Sequence, residues 1–355
     1  MTRNRSLGCL LLSIALLVSA TALGSEARAR NYPYDWWAEL SKQPDSWYAT
    51  EPGRKTAANI LSWQDANGGW PLMATINEPW TGDTSAVGPW GRRGALIKAT
   101  VNEIRFLARG YRATQDERYL EAALAGLDFI LKAQYPVGGW PHSYPELRNP
   151  YDRYATFNDD EMSDLMRLLR EVAHSSDFES LPTDKRQAAR AAFDKGVDFI
   201  LKSQIVVEGK LTVWGQQHDE VTLEPRAARK FEPAALSGGE SGGVLSLLMS
   251  IEAPSPAVVR AIDAGAAWYE AVKIEGLRIK RTSNDRVVVD DPNAPPLWAR
   301  FYEIGTNRPI FAGRDGVIKY RLDEIEQERR GGYNWYDYWG KEVLAQYAVW
   351  RRDRE

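Results

Sequence analysis

The sequence GLDFILKAQ at residues 126–134 returns as GVDFILKSQ at residues 196–204, 70 residues further along the chain. Gln64 ends another apolar segment, which stands 70 residues before the first of these two copies. Gly-Gly-Trp-Pro follows two of the three segments, at residues 68–71 and 138–141. A fixed period of this length indicates one structural unit that is used repeatedly.

Apolar residues recur at helical spacing along much of the chain, and this recurrence predicts seven helices. The predicted helices cover residues 103–111, 119–133, 159–173, 181–204, 241–251, 256–272 and 335–350. Helix pairs that recur every 70 residues, with long loops on one side, predict an all-α fold, namely an α/α barrel (toroid) of helical hairpins. The Gly-Gly-Trp-Pro loops also have a purely architectural explanation, because glycine allows a left-handed turn after a helix and proline prevents the helix from continuing.

Two long segments lack helical periodicity. Residues 205–240 and 276–334 are expected to be mostly irregular, with short strands at residues 211–214 and 287–289. Loops of this length within a compact domain are often functional. No long linker rich in proline, glycine or serine divides residues 30–355, so we predict a single domain there.

Residues 1–29 have the composition of a targeting segment. Arg3 and Arg5 precede an apolar run over residues 7–23, small residues follow, and Ala27-Arg28-Ala29 offers a cleavage site. We therefore predict a secretory signal peptide and a secreted or periplasmic protein without membrane attachment after cleavage. An uncleaved N-terminal anchor is the alternative, although the apolar run is short for a membrane span.

The composition excludes several classes of site. Cys9 is the only cysteine, so the predicted domain at residues 30–355 has no disulfide and no thiolate metal ligand. The formal net charge of −3 gives no general attraction for nucleic acid, and we predict none as a partner. The 14 tryptophans and 16 tyrosines supply aromatic faces of the kind that sugar-binding clefts use. We expect the protein to be a monomer.

An oxygen-rich segment opens the third predicted helix, at residues 156–162. One interpretation is a helix N-cap, because Asn158 or Asp159 can accept hydrogen bonds from the first turn and acidic groups are favoured there. The other is a site for a hard cation such as Ca²⁺, which prefers carboxylate and amide oxygens. The segment does not have the spacing of an EF-hand loop.

Three arginines stand among apolar residues rather than in charged runs: Arg229, Arg300 and Arg314. A guanidinium group matches a carboxylate through two parallel hydrogen bonds, so such arginines suit an anionic ligand, and structural ion pairs are the alternative. His142 and His218 lie in predicted loops. Two histidines far apart in sequence are weak evidence for zinc, and no Gly-x-Ser-x-Gly motif supports a serine hydrolase.

Ten short segments between residues 67 and 336 form a collinear set. They are residues 67–71, 104–108, 133–141, 156–159, 214–219, 228–232, 237–241, 300–302, 314–316 and 330–336. This set resembles the pectate lyases of polysaccharide lyase family 10. The resemblance implies an anionic polysaccharide, polygalacturonate, as substrate, and Ca²⁺-assisted β-elimination as the reaction.

In this reaction a base removes the proton at C5 of the uronate, and the O4 glycosidic bond then breaks. The resemblance implies that Arg229 is the base, that Asp159 with the adjacent Asn158 belongs to the calcium site, and that Arg300 and Arg314 bind uronate carboxylates. We predict His218 as a further substrate-binding residue. An arginine base needs neighbouring positive charges that disfavour its own charge, since its ordinary pKa is very high.

One segment departs from the family pattern. Where the family carries Thr-Ile-Asp-Asn-Gly-Ala-Thr, residues 94–100 place Leu96 and Ile97 at the acid and amide positions and Lys98 at the glycine. One expected calcium ligand is therefore missing. Two alternatives follow: a lyase in which Lys98 supplies a fixed positive charge at the substrate, and a non-catalytic protein that binds uronic-acid polysaccharides. A hydrolase of unsaturated uronides is a more distant alternative, because it would need a pair of suitably spaced acids.

Overall fold

The computed structural model describes residues 36–71, 77–83, 95–145 and 147–354. The predicted signal peptide at residues 1–29 lies outside these ranges. None of the helices in the described ranges combines the length and the apolar character needed to cross a bilayer.

Within the described ranges the chain forms ten α-helices, and the seven that the sequence predicts are among them. They are α1 (Trp36–Leu40), α2 (Glu51–Ser62), α3 (Ile97–Thr114), α4 (Glu117–Ala133), α5 (Glu161–His174), α6 (Thr183–Ser203), α7 (Glu240–Met249), α8 (Pro256–Ala271), α9 (Gln327–Gly332) and α10 (Trp339–Arg352). Consecutive helices pack as the pairs α3–α4, α5–α6 and α7–α8. Within this array α3 lies beside α5, and α5 lies beside α7.

The glutamines of the 70-residue period all make the same contacts. Each one follows a helix, and its side-chain amide donates two hydrogen bonds, one to the loop that follows and one to a helix of the next pair. The bonds run from Gln64 to the carbonyls of Gly68 and Ala122, from Gln134 to those of Gly138 and Ala192, and from Gln204 to those of Thr212 and Ala261. The repeat therefore joins each helix pair to its successor.

A buried tryptophan accompanies each glutamine. Trp70, Trp140 and Trp214 are fully buried, and each indole N–H donates to a carbonyl of the preceding helix. In the second loop Gly138 has φ of 111°, and an added Cβ atom would meet the carbonyl oxygen of Lys195 at 2.1 Å. The architectural explanation of the Gly-Gly-Trp-Pro loops is thus sufficient, and removing one of these indoles would cost about 3–5 kcal/mol.

Short strands fill the segments between the helix pairs. The strands of the described ranges are β1 (Ala95–Leu96), β2 (Ser143–Tyr144), β3 (Ala155–Thr156), β4 (Val206–Val207), β5 (Lys210–Leu211), β6 (Gln217–His218), β7 (Pro225–Arg226), β8 (Leu236–Ser237), β9 (Leu277–Arg281), β10 (Arg286–Asp290), β11 (Trp298–Ala299), β12 (Phe301–Tyr302), β13 (Phe311–Ala312), β14 (Ile318–Lys319) and β15 (Tyr336–Asp337). They pair antiparallel in seven small sheets, of which only β3–β6–β7 has three strands.

The prediction of an all-α toroid is wrong. The described residues form a mixed fold, in which an array of helix pairs carries fifteen short strands. Extensive helix packing runs from α2 to α10 as an open series, and no such packing joins α10 back to α2 or α3 within the described ranges. Helical periodicity predicts the positions of the helices correctly. It gives no information on how the segments between the helix pairs fold or on whether the array of pairs closes.

Candidate active site

Three neighbouring helices begin at one face of the array, and each brings a charged residue to its first turn or to the residues just before it. Lys98 lies in the first turn of α3, Asp159 lies two residues before α5 begins, and Glu240 is the first residue of α7. Because α3, α5 and α7 pack side by side, these three side chains share one region. The partial positive charge at helix N-termini favours anions in such a place.

Asp159 has an unusual backbone. Its φ is 51° and that of Asp160 is 61°, so two successive non-glycine residues are left-handed. Such conformations cost about 1–3 kcal/mol each and persist only where the surroundings impose them. The turn exposes the Asp159 carboxylate, and α5 begins without a side-chain cap from Asp160. The N-cap interpretation therefore does not account for these residues.

Positive groups surround Asp159. The Lys98 ammonium donates to its backbone carbonyl, and Arg300 Nη2 lies 3.4 Å from its Oδ1 atom. Burial alone would raise the pKa of the Asp159 carboxyl, but the charges of Arg300 and Lys98 outweigh that effect and lower it. Asp159 is therefore a carboxylate at neutral pH, held inside a positive environment.

Arg300 is buried, with 8% of its surface exposed. Its Nη2 group donates to the carboxylate of Glu240, which is also buried, and its guanidinium carbon lies 4.6 Å from the ring centroid of Tyr333. Burial disfavours its charge, but the nearby Glu240 carboxylate prevails and the pKa of Arg300 is raised. Arg300 thus carries a permanent positive charge at a buried position next to the Asp159 carboxylate.

Arg229 also lies near Tyr333, with its guanidinium carbon 5.8 Å from the ring centroid. Its Nε atom donates to Glu232 Oε2 at 2.7 Å, and its Nη2 group donates to the second oxygen of the same carboxylate. The arginine side chain is 42% exposed, whereas the glutamate side chain is 2% exposed. Burial alone would lower the pKa of Arg229, but this two-point bond raises it above its ordinary value. In the free protein Arg229 is therefore charged and paired.

Two aromatic rings link the three predicted arginines. The guanidinium of Arg229 lies 4.9 Å from the ring of Phe231 and 5.8 Å from that of Tyr333, which it shares with Arg300. Arg314 lies 5.7 Å from the same Phe231 ring and forms an exposed ion pair with Glu328 at 2.7 Å. The structure thus brings together Arg229, Arg300 and Arg314 from three separate segments. We call these residues, with Lys98 and Asp159, the arginine cluster.

His218 is placed differently from its prediction. It is 0% exposed, its Nδ1 atom lies 2.8 Å from the carbonyl of Leu223, and its Nε2 atom accepts from the Gly215 N–H at 2.9 Å. Burial lowers the pKa of His218 to about 4, so the ring is neutral. It offers no exposed atom in this arrangement, and its role in substrate binding stays a prediction. His218 instead fixes the loop that leads to the arginine cluster.

We expect this neutral histidine to make the protein sensitive to acid. An unfolded chain binds a proton at His218 near pH 6.5, whereas the folded chain does so only near pH 4. The contribution of His218 to the free energy of unfolding is therefore fully present above pH 6.5. It falls as the pH drops towards 4, by up to about 3 kcal/mol. His218→Gln, which can donate and accept in the same places, should remove this part of the pH dependence. Urea unfolding at pH 4.5 and pH 7.5 measures it, and equal losses in both proteins would contradict the assignment.

The predicted calcium ligands do not form a calcium site in this arrangement. Asn158 Nδ2 donates to Asp159 Oδ2 at 2.9 Å, and Asn158 Oδ1 accepts from Gln216 Nε2 at 2.6 Å. The ammonium of Lys98 donates a hydrogen bond to the backbone oxygen of Asp159, so this oxygen already has a partner. In the part of the chain that the structure describes, no three His, Cys, Asp or Glu side chains gather so as to hold a metal ion. The donor set at Asp159 does not fit Ca²⁺, whose sites need several free oxygens.

Sequence reasoning missed the groups that hold the arginines in place. Tyr333 donates to Glu232 Oε1 at 2.9 Å, and Gln216 donates to both Glu240 and the Tyr333 hydroxyl. Each of these residues lies inside one of the ten collinear segments. Only Glu232 gave a local signal, because it stands three residues after Arg229. A further pair, His142 Nδ1 and Glu161 Oε2 at 2.7 Å, also went unrecognised.

Known proteins resemble the chain in sequence and in overall structure. The model of the pectic acid lyase family matches residues 64–344 of the chain. A solved structure of a mutant family 10 polysaccharide lyase from Cellvibrio cellulosa, in complex with trigalacturonic acid, is 30% identical to the chain, with a TM-score of 0.76 over 89% of this chain and 96% of that one. A further structure of a family 10 polysaccharide lyase from the same organism is also 30% identical, with a TM-score of 0.76 over 92% of this chain and 98% of that one. No curated protein matches the chain.

Proposed function

We propose that this chain, which belongs to the pectic acid lyase family, is a polysaccharide lyase that cleaves polygalacturonate by β-elimination at the arginine cluster. The family assignment confirms the resemblance found in the sequence motifs. The observation that supports this substrate is the meeting of four positive groups, Lys98, Arg229, Arg300 and Arg314, around two aromatic rings and one exposed carboxylate. The related structure in complex with trigalacturonic acid points to the same class of sugar acid.

In the proposed reaction the positive groups act on the uronate carboxylate. Removal of the C5 proton places negative charge next to this carboxylate, and fixed cations there stabilise the transition state. Arg300 is positioned to do so, because its contact with Asp159 at 3.4 Å is long for an ion pair and a substrate carboxylate can compete with it. Arg314 is exposed and its ion pair with Glu328 is solvated, so it can turn to a second carboxylate.

We propose Arg229 as the group that takes the C5 proton. The electron pair of the C5–H bond then forms the C4=C5 double bond, the C4–O4 bond breaks, and O4 leaves with the electron pair of that bond and takes a proton from solvent. The Glu232 carboxylate opposes this role in the free protein because it keeps Arg229 protonated. Arg229 must therefore separate from Glu232 and give up its proton to act, and the neighbouring Arg300 and Arg314 charges favour that loss.

Lys98 is proposed to supply a fixed positive charge next to the sugar acid. Its ammonium already lies against Asp159, at the position where the family pattern has glycine. The proposed reaction has no step at a metal ion, because the oxygens at Asp159 do not fit Ca²⁺.

We expect Lys98→Ala to reduce turnover of polygalacturonate about 10²-fold, the loss typical of removing one group that stabilises developing charge. The ultraviolet absorbance of the unsaturated product measures turnover, with and without EDTA. Lys202→Ala, an exposed lysine at the end of α6, is the matched control and should keep full activity. Suppose that Lys98→Ala keeps wild-type turnover and that EDTA abolishes turnover completely. This result would overturn the role of Lys98 and would show that the reaction needs a metal ion.

A second candidate is a non-catalytic protein that binds uronic-acid polysaccharides. The pairing of Arg229 with the buried Glu232 favours it, because a paired arginine binds anions but accepts no proton. The same assay separates the two functions. A lyase raises the absorbance, whereas a binding protein leaves it unchanged and is retarded in gels that contain pectate.

A further inference from the structure

A hairpin of two five-residue strands stands next to the arginine cluster. In this hairpin Arg281 of β9 lies directly opposite Arg286 of β10. The apolar residues on their face of the hairpin, Leu277, Ile279 and Val288, pack against the core, and Asp290 ends the same face opposite Leu277. Side chains alternate along a strand, so Lys280 points to the opposite, exposed face. Two arginines therefore face each other where the hairpin meets the body of the protein.

Arg286 connects this pair to the arginine cluster. Its Nη1 group donates to the backbone carbonyl of Tyr333 at 2.8 Å and to the side-chain oxygen of Asn334 at 2.6 Å. The ring of the same Tyr333 lies against Arg300 and Arg229. Tyr333 thus lies between the pair Arg281 and Arg286 on one side and the arginine cluster on the other.

The charges of the pair are only partly balanced. Like charges directly opposite in a hairpin destabilise it. Asp337 is the counter-ion, at 3.7 Å from Arg281 Nη2, and it also accepts a hydrogen bond from Asn334 at 2.6 Å. Burial and the charge of Arg281 together lower the pKa of Arg286. Two guanidinium groups therefore share one carboxylate.

Some hydrogen-bond donors of Arg281 and Arg286 also lack a partner within the described ranges. Within the described ranges the Nε and Nη2 groups of Arg286 have no hydrogen-bond partner, and Arg281, whose side chain is 58% exposed, has only the long contact to Asp337. Guanidinium donors that lie side by side match the two oxygens of a carboxylate.

We propose that Arg281 and Arg286 form a second carboxylate-binding subsite, which holds a uronate unit of the polymer away from the sugar that reacts. This inference rests on the proposed function, since it takes the polysaccharide to be a uronic-acid polymer. Every unit of such a polymer carries a carboxylate, so a chain seated on the arginine cluster presents another acid group at the hairpin. The subsite makes binding depend on chain length.

The test compares a short and a long ligand on the full-length protein. Arg281→Ala is the variant of choice, because an exposed side chain can be removed with little risk to the fold. We expect it to weaken binding of long-chain polygalacturonate, measured by calorimetry, about tenfold, the effect of one charge-assisted carboxylate contact. Binding of trigalacturonate should change less than twofold. Lys280→Ala, one position away on the other face, should leave both affinities close to those of the wild type.

Each outcome has a distinct meaning. Equal affinity of Arg281→Ala and wild type for the long chain overturns the subsite, and so does an equal loss in the Lys280→Ala control, which would show general charge attraction only. A wild-type protein that binds long chains through Arg281 but releases no unsaturated product would remove the proposed lyase reaction and keep the subsite. A wild-type protein that binds no galacturonate at all would overturn both.

Discussion

Arg229→Lys is expected to lower the rate of β-elimination on polygalacturonate about 10³-fold while the protein stays folded. Lysine keeps the positive charge but replaces a planar fork with a point charge, so it can neither form the two-point bond to Glu232 in the free protein nor, after leaving Glu232, present a guanidinium nitrogen to C5. Losses of 10²–10⁴-fold are typical when a group that transfers a proton is removed. The initial rate of absorbance increase measures the effect, and circular dichroism checks the fold.

Glu232→Gln provides the second arm of this experiment. The glutamate raises the pKa of Arg229, so its removal should lower that pKa and move the rising limb of the pH–rate profile to lower pH. Glutamine keeps an oxygen that can accept from Tyr333. An unchanged profile, or full activity in Arg229→Lys, would show that Arg229 only binds substrate and that another group takes the proton.

Arg300→Met is expected to destabilise the protein by about 3–5 kcal/mol. The substitution leaves the buried carboxylate of Glu240 without its cationic partner, and breaking a buried ion pair from one side costs an amount of this size. Chemical denaturation monitored by tryptophan fluorescence gives the free energy of unfolding. The same substitution should also lower activity, since it removes a cation from behind Asp159.

Two comparisons separate the buried charge from general effects. In the double variant Arg300→Met with Glu240→Gln the unpaired charge is gone, so much of the stability should return while activity stays low. Arg314→Ala breaks an exposed ion pair, which is worth at most about 1 kcal/mol. If Arg314→Ala destabilised the protein as much as Arg300→Met, burial of the Arg300–Glu240 pair would not be the cause.

Much of the helical part of the fold could be predicted from the sequence. The copies at residues 126–134 and 196–204 mark the ends of α4 and α6, and both glutamines make the same bonds. The strands were largely missed for a physical reason. Most are two residues long, too short to show the alternation of apolar and polar residues that indicates a strand. The five-residue strand β10 was found at residues 287–289, because its run of valines is long enough.

The candidate site was predictable in its arginines but not in their partners. Apolar neighbours singled out Arg300, yet its partner Glu240 lies 60 residues away and reaches it only because β8 pairs with β12. For His218 the position in a predicted loop suggested contact with a substrate. This part of the chain instead forms the strand β6, which buries the ring. Pairing between distant short strands decided both cases, and the sequence carries no local signal for it.

The glutamine bonds also bear on how the molecule comes apart. Each amide ties the end of one helix pair to the next, so opening any junction leaves one helix carbonyl of the next pair without its donor. In a stacked array of this kind stability depends on the contacts between neighbouring units as well as on the units themselves. We expect the junctions to make melting cooperative, so that loss of one hairpin weakens those on either side and the arginine cluster comes apart at the same temperature.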